Sequence, residues 1–256
     1  MKKHIYTLCL LVLFFVALGC DNRSNETVSE TAVTFVLDAT DPTVFEAIES
    51  DFRQNLNTFF TNTGVGNIDF YQRLTVRVCG VEETDQLSIQ SRFIELTDRR
   101  VSRQEAQRLK NPRPLLELIS SELSHYKELS ENMMTSSPII DVLLKAFREM
   151  NPEAARELLV VCSDGLEKSK YANFYKTIPT TEEEIEMLIS KTDPILLNEA
   201  IEAISYIDPE VVFVLKTPND TKRNTELKKF YQEFCRQLGV NTVSFIDNLN
   251  NNPRLL

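Results

Sequence analysis

The sequence predicts an α/β protein, a doubly wound and mainly parallel sheet with helices on both faces. Three observations point there. Strand-length apolar runs, among them Val33-Thr34-Phe35-Val36-Leu37, Leu158-Leu159-Val160-Val161-Cys162 and Val211-Val212-Phe213-Val214-Leu215, lack the alternating polar face of a half-exposed strand, as strands covered on both sides do. Segments with apolar residues at helical spacing separate these runs, and such alternation builds a parallel sheet. The first run ends at Asp38 and is followed at once by Asp41-Pro42, an N-cap acceptor ahead of a proline at the first helical position.

Taken in order, the first strand covers residues 32–38. Val44, Ile48, Phe52, Leu56 and Phe59 recur at helical spacing and predict a helix from Pro42 to about Phe60. Gly64 and Gly66 mark a turn. Leu74, Val76 and Val78 alternate with Thr75, Arg77 and Cys79 as a second strand, and residues 88–96 read as an antiparallel edge strand paired with it. Residues 97–135 differ in character: charged, and broken by Asn111-Pro112-Arg113-Pro114, they read as a helical insertion of two helices. Arg99, Arg100 and Arg103, with Arg108, Lys110 and Arg113, give this insertion a basic cluster, a solvated helix face or a docking surface for an anionic partner. Ser137-Pro138 opens a nearly all-apolar helix, which is therefore buried. The strand at 158–162 ends in Ser163-Asp164-Gly165. A helix around residues 182–190, another from Asp193-Pro194, the strand at 211–215, a helix at 221–238 stopped by Gly239, and a strand at 242–246 complete the domain. Residues 248–256 read as a tail.

Composition bounds the function. The chain has 256 residues, 42% hydrophobic and 26% charged, with a net charge of −10. That balance argues against nucleic acid, whose affinity rests on Lys and Arg neutralising phosphates. Of two histidines only His125 lies beyond residue 20, which excludes chemistry built on a His pair. No glycine-rich phosphate loop or nucleophile elbow is present, and no catalytic residues are assigned.

The amino terminus reads as an address. Lys2 and Lys3 precede an apolar run from Leu8 to Leu18, too short for a bilayer span of about 20 residues. Ala17-Leu18-Gly19-Cys20 resembles the bacterial lipoprotein box, with Ala17 where that box more often has Leu. The resemblance implies a signal peptide at 1–19, lipidation of Cys20, a polar tether over 20–31, and a domain at 32–247 held to a membrane outside the cytoplasm, in the bacterial cell envelope. Three cysteines then remain in the domain. Cys79 and Cys162 fall on strands either side of the central one, about 10 Å apart, so buried free thiols are expected.

Asp38 and Asp164 end two strands predicted to be neighbours where the strand order reverses, the place where open α/β sheets bind ligands. With Thr40 and a hydroxyl from Thr135, Ser136 or Ser137, they offer oxygen ligands of the kind a hard divalent cation takes. The order and spacing resemble the von Willebrand factor A-type domain and its metal-ion-dependent adhesion site. That site uses Asp-x-Ser-x-Ser after the first strand, a Thr from a later loop, and an Asp, often in Thr-Asp-Gly, after the fourth strand. Here Asp38-Ala39-Thr40-Asp41-Pro42 and Ser163-Asp164-Gly165 stand at the first and last motifs. Pro42, which has no side-chain oxygen, replaces the second Ser. The resemblance implies Mg²⁺ or another divalent cation held by Asp38, Thr40, Ser136 and Asp164 in a degenerate site. It also implies a non-enzymatic module that binds a protein partner outside the cytoplasm. Two alternatives stand beside it: a metal-free scaffold that binds through its insertion, and a phosphohydrolase of the haloacid-dehalogenase type. The latter family needs Asp-x-Asp, and Thr40 occupies the second acidic position.

Overall fold

The computed structural model describes residues 30–63, 73–81, 113–131, 135–216 and 220–251, with side chains from residue 31, from 75 in the second segment and from 119 in the third. Five strands form one sheet: β1 (Glu30–Asp38), β2 (Arg73–Val81), β3 (Arg156–Ser163), β4 (Glu210–Leu215) and β5 (Thr242–Ile246). Their order is β2-β1-β3-β4-β5, and every pairing is parallel. Winding runs one way from β1 to β2 and the other way from β3 onward, so the order reverses between β1 and β3.

Six helices lie among the described residues: α1 (Pro42–Thr63), α2 (Arg113–Ser130), α3 (Ile139–Arg148), α4 (Glu182–Ile189), α5 (Pro194–Ile207) and α6 (Thr221–Leu238). The period of two along each strand divides the core into two layers. Val33, Phe35 and Leu37 of β1 meet Phe45, Ile48, Phe52 and Phe59 of α1 and Ile119, Leu123 and Tyr126 of α2. On the opposite face Val36, Val161 and Phe213 meet α3, α4, α5 and α6. Right-handed crossovers demand this division: a chain that reverses its winding direction must move its helices to the other face. Phe35 stands edge-on to Phe52 at 5.1 Å, and Phe213 packs at 4.7 Å from Tyr231 of α6.

Side-chain caps open α4, α5 and α6, the one at Asp193 as expected from the sequence. Asp193 accepts from the amides of Ile195 and Leu196 ahead of Pro194, and Asp220 from that of Arg223. Thr181 and Glu184 form a reciprocal capping box. Gly239, at φ 98°, ends α6 in the left-handed region that glycine enters without a Cβ penalty.

Two boundaries differ from expectation. β1 begins at Glu30, two residues ahead of the expected start of the strand and inside the span read as tether. The tail read from residue 248 is packed at its start: Leu249 is fully buried against α1's layer, and its amide donates to Asp51. The antiparallel edge strand at 88–96, Cys20, and Arg99, Arg100 and Arg103 lie outside the described residues. Within the insertion one helix, α2, is described, and it packs over α1 and β2. Cys79, Cys162 and Cys235 are free and buried, with Cys79 and Cys162 on opposite faces of the sheet. Burial pushes all three thiols above their ordinary range, which makes them unreactive.

Candidate functional site

The crevice at the carboxyl ends of β1 and β3 is built from three loops. The first follows β1. Asp38 is 1% exposed, and each carboxylate oxygen is engaged by the protein itself. Oδ1 accepts from the Thr40 amide at 3.0 Å and from the Thr40 hydroxyl at 2.6 Å, and Oδ2 accepts from the Ser163 hydroxyl at 2.6 Å. A buried carboxyl must find such donors or remain neutral. Burial raises its pKa against the lowering effect of those three hydrogen bonds. Asp41, next in the loop, caps α1 by accepting from the amides of Thr43 and Val44.

The second loop follows β3. Ser163 joins the two motifs: while donating to Asp38, its Oγ accepts from the Gly165 amide at 2.8 Å. Asp164 turns the chain by accepting from the Leu166 amide at 2.8 Å through Oδ1. Gly165 has φ 77°, and a Cβ there would lie 3.3 Å from both Leu215 and Tyr231. Its carbonyl is held by the Tyr231 hydroxyl at 2.9 Å, so α6 fixes the turn from beneath. Asp164 has its pKa raised to about 7 by burial and by the charge of Asp38.

The third loop precedes α3. Ser137 exchanges backbone hydrogen bonds with Lys168 at 2.8 and 2.9 Å, which ties this loop to the segment after Asp164. Ser136 is half-buried and shares no hydrogen bond with either carboxylate; Thr135 is exposed. The structure thus brings Asp38, Thr40 and the Ser163-Asp164 turn into hydrogen-bonded contact. It sets Ser136 in the adjoining loop without a bond to them.

Tyr175, 48% exposed, stands close enough that the charges of Asp164, Asp38 and Asp41 add to burial in pushing its phenol up to about 12. Arg223, at the start of α6, opposes that effect at both Tyr175 and Asp164. Phe174, beside Tyr175 in sequence, is core, edge-on to Phe230 at 4.6 Å. Ser163, Tyr231 and Arg223 are the site residues that sequence reasoning passed over. Ser163 was readable as the neighbour of Asp164, whereas Tyr231 and Arg223 arrive on a helix about 60 residues later without any local motif.

A resident divalent cation fits this set poorly. Asp38 is satisfied by three protein donors, Pro42 brings no oxygen, and Ser136 does not reach the carboxylates by hydrogen bonding. Among the described residues no group of three or more His, Cys, Asp or Glu is arranged to hold a metal ion. What the crevice offers is an acceptor surface: Asp164 Oδ2, which takes no hydrogen bond from the described residues, beside an exposed tyrosine.

The raised carboxyls set a pH dependence. Asp164 ionises near 3.8 when unfolded and near 7 when folded, so the folded state holds the extra proton between those values. Its contribution is complete below about pH 4 and is lost as pH rises to 7, with Asp38 acting in the same direction. Urea unfolding at pH 5 and pH 8 is expected to give the lower midpoint at pH 8, and Asp164→Asn to narrow the gap. A higher midpoint at pH 8 in the parent would contradict this assignment.

No protein-family model matches the chain, and no curated protein matches it. Among solved structures, the crystal structure of the human COPII-coat protein Sec24c is similar over 88% of this chain and 30% of that one, at 14% identity and a TM-score of 0.39. The chain therefore spans less than a third of that structure's length.

Proposed function

We propose that the chain is a lipid-anchored binding module of the von Willebrand A type, displayed outside the cytoplasm, whose crevice takes a hydrogen-bond-donating group of a protein partner without a resident cation. The observation that carries this reading is the placement of Asp38 and Asp164 at the carboxyl ends of adjacent strands, at the point where the winding reverses. The rim supports a donor as the incoming group: Asp164 keeps a free acceptor, Asp41 adds negative charge, and Tyr175 presents an exposed ring. An enzymatic role has less support, because the strand-end carboxylate is engaged by Thr40 where a second acid would be needed.

Two measurements test the reading. Fractionation of cells expressing the parent and Cys20→Ser is expected to find the parent with membranes and the variant in the soluble fraction. Equal distribution would remove the lipid anchor from the proposal. Calorimetric titration of Mg²⁺ and Mn²⁺ into the Cys20→Ser protein is expected to give no saturable heat at millimolar ion. A saturable signal that Asp38→Ala abolishes would instead restore the metal-dependent adhesion site.

A further inference from the structure

Glu167 is a buried carboxyl without a counter-charge. It is 0% exposed, and no cation pairs with it among the described residues. It stands where two parts of the crevice wall meet. Oε2 accepts from the Ile140 amide at 2.9 Å at the start of α3, whose N-cap residue, Pro138, offers no side-chain acceptor. The adjacent residue, Lys168, forms the backbone bridge to Ser137. Glu167 thereby caps α3 from another segment, and its own carbonyl accepts from the Phe174 amide at 2.8 Å. Oε1 makes no hydrogen bond of good geometry, although the Ser169 hydroxyl lies close enough to ease ionisation; the Ser137 hydroxyl is likewise buried without a partner.

The titratable groups that face Glu167 do not favour its charge. Asp141 on α3 opposes ionisation, and the Tyr231 phenol on α6 feels the Glu167 charge as a repulsion against its own. The amides of Ile139 and Ile140 and the Ser169 hydroxyl favour ionisation, but burial outweighs them and the pKa rises to about 8.

We propose that Glu167 is a proton-operated latch: neutral, it holds residues 135–138 and the amino end of α3 against the segment after β3, and its deprotonation releases that loop from the crevice. A buried carboxylate with no cation to pair with gains more from hydration than from staying in place, so ionisation favours opening. The sign follows from linkage. The folded, closed form holds a proton that the open form sheds at about 4.5, so closure weakens as pH rises toward 8.

The test is hydrogen exchange read by mass spectrometry on the full chain from pH 6 to 9, corrected for intrinsic amide rates, and it requires neither a partner nor a metal. In the parent, protection of peptides covering residues 137–142 and 166–174 is expected to fall at least tenfold further across this range than that of peptides from α5, which report the global loss of stability. Glu167→Gln, neutral throughout, is expected to lose that excess over α5, and Glu167→Met serves in its place if the Gln variant does not fold. Flat protection in the parent overturns the latch, as does the same excess in the neutral variant or a decline shared equally by α5.

Discussion

Replacing Lys216 with Met is expected to cost about 3–5 kcal/mol, because it strands a buried carboxylate. Lys216 follows β4, and its ammonium is nearly enclosed, with 9% of the side chain exposed. Its three N–H donors match three acceptors: Asp51 Oδ2 at 2.6 Å, the Asp247 carbonyl at 2.7 Å and Asn248 Oδ1 at 3.2 Å. Asp51 on α1, whose side chain is 4% exposed, in turn accepts from the Leu249 amide and from Asn55. One ion pair thus fastens α1, the end of β4 and the segment after β5 into a single unit. Urea unfolding followed by circular dichroism measures the loss. Asp51→Asn keeps an acceptor for Leu249 while removing the charge. The double variant, which no longer strands a charge, is therefore expected to be more stable than Lys216→Met alone, a coupling that additive losses would not produce. A loss under about 1 kcal/mol for Lys216→Met would show that the pair contributes little.

The second large effect is expected at Gly80, near the end of β2. A Cβ there would run into Tyr126 Cε1 and lie 2.8 Å from its Cζ. Tyr126 is 2% exposed and belongs to the layer between α2 and the sheet, so its ring has no solvent to swing into. Gly80→Ala forces either the strand or α2 to shift, an overpacking cost of about 1–3 kcal/mol. In a Tyr126→Ala background the ring is gone, and the same substitution is expected to be close to neutral. If Gly80→Ala costs as much there as in the parent, the loss arises in the strand backbone and the contact is not its cause. Gly80 gives no sign of this role in sequence; the ring that requires it is 46 positions away.

That contrast runs through the whole molecule. The alternation of doubly buried strands with amphipathic helices is a local property, repeated along the chain, so the sequence carries the fold class and most boundaries. α6 and β5 fall at the residues expected, and α4 within one residue of them. The Asp193-Pro194 cap was legible for the same reason, since it acts within four residues of itself. Boundaries failed where a distant partner decides them: β1 gains Glu30 through pairing with β2, and Leu249 leaves the tail for the core.

The candidate site divides along the same line. Asp38 and Asp164 were identifiable because a carboxylate that ends a buried strand requires compensation, and the strand order made them neighbours. Their chemistry was not. The sequence by itself determined which residues end the strands, that two of them are acids, and that proline stands where a third hydroxyl would be needed. Only the tertiary structure decided that Ser163 completes the coordination of Asp38, that Tyr231 holds the turn, and that Glu167 caps a helix from another segment. Hydrogen bonds and burial depend on where the chain returns after dozens of residues, and no pattern within a few residues of each group records that return.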